Sequence, residues 1–126
     1  MPIEFTVNHE SSYFTTKYIG KVSEDEVIDL YTTFFEDDGW APGLNELVDH
    51  SELDGSNLNG DGLRKIAMFA SYFYKEHNIS NVKTAIFAPK DLPFGLSRIY
   101  DVMTDDSPEE VGVFRDMQEA KSWLGI

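Results

Sequence analysis

Asp49-His50-Ser51 sets an acid, an imidazole and a hydroxyl side by side, the three residue types of a hydrolytic relay. Consecutive residues at a strand end point to alternating faces, so these three cannot form that relay with one another. The nucleophile motif G-x-S-x-G is also absent from the chain. Catalysis is not expected. Asn57-Leu58-Asn59-Gly60-Asp61-Gly62 places oxygen side chains at alternate positions before glycine, as a calcium loop does. Its twelfth position is Met68, where a bidentate glutamate is needed, so the segment reads as a turn capping the next helix. His9, His50 and His77 have no i, i+4 pairing, and no metal site is expected. With no cysteine in the chain, disulfides, thiol catalysis, iron-sulfur clusters and cysteine-based zinc sites are excluded, and no cofactor is expected.

Position offers more than motif. Ligands of open α/β sheets bind outside the carboxyl ends of parallel strands, which groups Asp49, His50 and Ser51 with Lys90 and Asp91. Arg98 can approach from the following helix. In so acidic a chain, His50, Lys90 and Arg98 together would form a small-anion or carboxylate site beside helix N-terminal amides. The alternative is that Lys90 and Arg98 pair with surface acids such as Asp91 and Asp101. Met68 and Tyr72 fall off the main apolar stripe of their helix, as Phe94 does on the next, and are candidates for self-association.

The elements that must hold these residues follow from periodicity. Ile3, Phe5 and Val7 alternate with polar neighbours, and Tyr13 to Ile19 is aromatic and β-branched, so an antiparallel hairpin opens the chain around His9-Glu10-Ser11-Ser12. Ser23-Glu24-Asp25-Glu26 is a capping box, and Val27, Leu30, Tyr31 and Phe34 lie on one face of the helix it starts. Leu44 to Val48 is a short strand, followed by a long polar loop from Asp49 to Gly62. Leu63, Ile66, Ala67, Ala70, Phe73, Tyr74 and His77 stripe the second helix, with His77 supporting its end. Val82 to Ala88 is apolar on both faces, the mark of a central parallel strand. A third helix from Asp91 shows Leu96, Ile99, Tyr100 and Met103 on one face. Val111 to Arg115 is the last strand, and Asp116 caps a short terminal helix.

A chain of 126 residues with 41% hydrophobic and 13% aromatic content is one domain, 1–126, with material for a packed core. Ten basic against 23 acidic residues give a net charge of -13, which opposes nucleic acid and anionic membranes. No stretch reaches the roughly 18 apolar residues of a membrane span, and Met1-Pro2-Ile3-Glu4 has no signal-peptide character, so a cytoplasmic location is expected. The order β-β-α-β-α-β-α-β-α implies an α/β fold: a mixed, mostly parallel sheet with an antiparallel N-terminal hairpin and about four helices.

Three blocks carry a family resemblance: Leu47-Val48-Asp49 before a polar loop, Phe87-Ala88-Pro89-Lys90-Asp91-Leu92-Pro93-Phe94-Gly95-Leu96-Ser97-Arg98-Ile99-Tyr100, and Glu110-Val111-Gly112-Val113-Phe114-Arg115-Asp116 with Glu119-Ala120 and Trp123-Leu124. With the hairpin, they resemble the SpoIIAA-like family, bacterial STAS-like domains related in fold to anti-sigma-factor antagonists and to CRAL-TRIO lipid-binding domains. The resemblance implies a non-enzymatic regulatory or binding module acting through protein partners, with a small-molecule or lipid carrier as the alternative. In the antagonists a serine accepts a phosphate from a kinase; the matching stretch, Asp54-Gly55-Ser56-Asn57-Leu58, makes Ser56 the corresponding candidate.

Overall fold

The computed structural model describes residues 2–126. Alternation builds β1 (Ile3–Asn8) and β2 (Tyr13–Gly20), which pair antiparallel with Ile3 opposite Tyr18 and Val7 opposite Phe14. Ser23 caps α1 (Glu24–Phe35) as the capping box predicts, its oxygen accepting from the Glu26 amide while the Glu26 carboxylate accepts from the Ser23 amide. There follow β3 (Asn45–Leu53), α2 (Gly60–Glu76), β4 (Val82–Phe87), α3 (Asp91–Met103), β5 (Glu109–Phe114) and α4 (Met117–Leu124).

The sheet order is β1-β2-β3-β4-β5, and all pairs after the hairpin are parallel. Each crossover therefore steps the same way across the sheet, and right-handed connections then put α1, α2 and α3 on one face. Val27 and Tyr31 of α1, Phe69 of α2 and Tyr100 of α3 meet Tyr18, Val48 and Ile86 of the sheet there. On the opposite face, Ala120 and Leu124 of α4 cover Leu47 and Ala85. Burial on both sides explains the continuous apolar run of β4.

Three expectations are corrected. Asp49, His50 and Ser51 lie within β3, not in a loop, because β3 continues along β2 as far as Leu53 beyond its last pairing with β4 at Asp49; the loop is only 54–59. The last strand starts at Glu109, two residues early, and that glutamate is buried. On α3 the inward face carries Pro93 and Ser97 with Leu96 and Tyr100 of the expected stripe, while Ile99, about 200° around the helix from Ser97, turns outward at 46% exposure.

Candidate functional site

The sheet face beneath α1, α2 and α3 should be wholly apolar if it served packing alone. A polar stripe crosses it instead. Thr16 of β2, Glu46 of β3, Thr84 of β4 and Glu109 of β5 are all buried, with Glu46 at 5% and Glu109 at 7% exposure. Strand alternation sets them on this face with Tyr18, Val48, His50 and Ile86, and parallel register puts Glu46 beside Thr84.

Hydroxyls satisfy both carboxyls. Thr16 Oγ1 (2.7 Å) and the Tyr31 hydroxyl (2.5 Å) donate to Glu46 Oε2, and the Tyr18 hydroxyl donates to that of Tyr31 at 2.9 Å. Thr84 Oγ1 donates to Glu109 Oε2 at 2.7 Å and the Tyr100 hydroxyl to Oε1 at 3.2 Å. Burial pushes the Glu46 carboxyl up to about 7, against the pull of these hydrogen bonds and with help from the Glu109 charge. Burial likewise raises Glu109 above the usual carboxylate range. The same loss of water raises the Tyr18 and Tyr31 hydroxyls, which therefore remain neutral donors.

All of these groups but Thr16 line a cavity of about 80 Å³ between the sheet and the three helices. Phe35, Ile66, Phe69 and Tyr74 supply apolar wall, and Leu53, Leu58, Leu63 and Leu96 close it where β3 runs into the 54–59 loop. Among the described residues, no lysine or arginine lines it. Gly55 holds that loop against α3: its φ is +83°, and a Cβ there would sit 3.1 Å from Leu96 Cδ1.

His50 enters the cavity from β3. Its Nδ1 lies 3.3 Å from the Ser97 hydroxyl of α3, its ring meets Tyr18 edge-on at 4.6 Å, and its buried Nε2 has no partner. A hydroxyl beside an imidazole has the atoms of a nucleophile and a base. It lacks the third group that orients the base, and burial lowers the imidazole to about 4, leaving it a poor proton acceptor near neutrality. Asp49 does not serve as that third group; its Oδ1 accepts from the Ser51 amide at 2.9 Å. Among the described residues no three acidic or imidazole side chains cluster as metal ligands would.

The other expected residues lie outside the cavity. Lys90 and Asp91 at the start of α3 and Arg98 midway along it are exposed, so the imidazole faces inward while the two cations face solvent. Asp91 pairs with Arg115 at 2.9 Å, and Phe94 carries the Arg115 guanidinium at 4.1 Å and that of Arg98 at 6.0 Å. Ser56 is exposed on the outer side of the 54–59 loop, where its amide donates to Asp54 Oδ1. Asn59, from the calcium-like run, caps α2 by accepting from the Gly62 amide. Met68 and Tyr72 are 65% and 68% exposed and, with Met103, border a groove on the outside of α2 and α3.

Glu46, Glu109, Thr84 and Ser97 escaped the sequence reading. The available signal was Glu46-Val48-His50 at period two inside an apolar strand, where a carboxylate is out of place unless it is paired.

No family model matches the chain, and no curated protein matches it. A solved structure of an uncharacterized protein from the DUF3478 family, with a SpoIIAA-like fold, from Shewanella loihica PV-4, is similar over 97% of this chain and 91% of that one, with a TM-score of 0.57 and 22% identity. At that identity the likeness is one of fold, and it agrees with the sheet order and helix placement described above: the chain has the SpoIIAA-like fold.

Proposed function

We propose that the chain is a non-enzymatic STAS-like binding module that takes a small molecule into the cavity between the sheet and α1, α2 and α3. The observation that carries this reading is the stripe of two carboxyls and their hydroxyl partners turned toward enclosed space. Burying such groups costs stability that apolar residues of similar volume would not cost, so packing alone gives no reason for them. About 80 Å³ is well below the roughly 300–1,000 Å³ of pockets for drug-sized ligands. The reading is therefore a compact polar ligand rather than a lipid chain. Mass spectrometry of protein purified under native conditions tests it. A bound small mass is expected in the wild type and not in Ala70→Leu, which fills the cavity; an identical spectrum for both proteins would refute the reading.

A second reading concerns protein contact. Met68, Tyr72 and Met103 leave apolar area open, and Arg64 and Lys75 flank the same groove in a chain of net charge -13. Pairing this groove with a second copy of the chain would remove that apolar area from water, so we propose self-association there. Light scattering at high micromolar concentration checks it: a dimer lost in Tyr72→Glu is expected, and a strict monomer would refute it.

A further inference from the structure

We propose that the ligand of this cavity is a small organic cation, an alkylammonium group bound by the Glu46 and Glu109 carboxylates among the surrounding tyrosine rings. This rests on reading the cavity as a ligand site. The two carboxyls flank Thr84, which is the register partner of Glu46 and donates to Glu109. Four neutral hydroxyls, from Thr16, Tyr31, Thr84 and Tyr100, hold them in place, yet none neutralises charge. Among the described residues, no lysine or arginine of the chain lines the space, so once a carboxyl here ionises its counter-charge must come from outside. The walls suit that arrival: Tyr18, Tyr31, Phe35, Phe69, Tyr74 and Tyr100 present aromatic rings, whose faces attract cations. The unpartnered His50 Nε2 offers one more polar contact to a ligand. An anion would meet like charge, and the chain's net charge of -13 draws cations toward it. The volume limits the guest to a few non-hydrogen atoms, since about 150 Å³ already holds benzene.

Binding of a cation favours ionised carboxyls, so it must release protons. The groups facing Glu46 are the Tyr18, Tyr31, Tyr74 and Tyr100 hydroxyls, which burial keeps neutral, the Glu109 carboxyl, which burial raises above its ordinary value, and His50, which is neutral above about 4. Affinity for a permanently protonated amine should therefore rise with pH up to about 7, the value for Glu46, and then level off.

Titration calorimetry with propylammonium chloride and with 1-propanol, at constant ionic strength from pH 5 to 8, tests the inference. Propylammonium is expected to bind roughly tenfold or more tighter than propanol at pH 8. Its affinity should fall by about tenfold per unit below pH 7, with heats that depend on buffer ionisation. Glu46→Gln should remove the preference and the pH dependence, whereas exposed Glu110→Gln should keep both. Should Glu46→Gln fail to fold, Glu109→Gln and the wild-type pH series still decide. Equal binding of propanol, or pH-independent binding of the amine, would overturn the cation inference while leaving the cavity a ligand site. No binding of either probe would count against both.

Discussion

Glu46 is a carboxyl held at 5% exposure in the core, and its protonation links the core to pH. Its folded value of about 7 lies above its ordinary 4.5, so the folded state holds a proton that the unfolded chain has already lost. Stability from this group is complete below about 4.5 and is lost as pH rises to about 7. At about 1.4 kcal/mol per unit, the full loss is roughly 3–4 kcal/mol. His50 acts oppositely: lowered from 6.5 to about 4, it contributes stability that is lost as pH falls through that window. The wild-type profile is therefore a partial cancellation, and a difference measurement isolates the carboxyl. Urea unfolding of wild type and Glu46→Gln should show the variant gaining on the wild type by about 2–3 kcal/mol between pH 4.5 and 7.5; a constant difference would contradict the assignment. On the outer side of the 54–59 loop, Ser56 stands within two residues of Leu58, a cavity-lining side chain, so a phosphate there would add charge to the roof. Peptides spanning residues 54 to 61, isolated from native cells, are expected to carry a modified Ser56. Full coverage of unmodified peptide would remove it as an acceptor.

Among the elements, α4 and the face of β5 that it covers form a layer separate from the cavity, and Gly112 shows how closely they approach. A Cβ at that position would lie 2.8 Å from Phe114 Cε2 and 3.3 Å from Trp123 Cε2, whose rings pack with centroids 5.6 Å apart. Gly112→Ala should lose about 1–3 kcal/mol in denaturant unfolding through overpacking. It should leave ligand binding on the other face intact, and an equal loss of both would join layers that the structure separates. The nine elements among the described residues and their order were legible because periodicity, the Ser23 capping box and the Asp116 cap are local signals. The far half of β3 was not, because Asp49, Ser51 and Glu52 have low strand propensity and are recruited by tertiary pairing with β2. The cavity was hidden for a related reason. A buried glutamate looks like a surface residue until its partners are assembled around it: Thr16 of β2 and Tyr31 of α1 for Glu46, Thr84 of β4 and Tyr100 of α3 for Glu109. His50 could be placed near a strand end from sequence, but its inward turn toward Ser97 depends on how α3 docks.

Across the whole molecule, the sheet carries two different surfaces: α4 seals one with an apolar core, while α1, α2 and α3 enclose polar space on the other. Among the described residues no helix is long and apolar enough to cross a membrane. The central claim is that the enclosed space admits a small molecule. Methyl NMR tests it most directly, because Val48, Leu53, Ile66 and Ile86 report from the cavity wall while Val102, 72% exposed, reports from outside. Titration with a panel of small amines, alcohols and carboxylic acids should move the four wall residues saturably with at least one compound, leave Val102 in place, and fail in Ala70→Leu. Wall methyls that stay fixed with every compound, or that move no more than Val102, would contradict the claim.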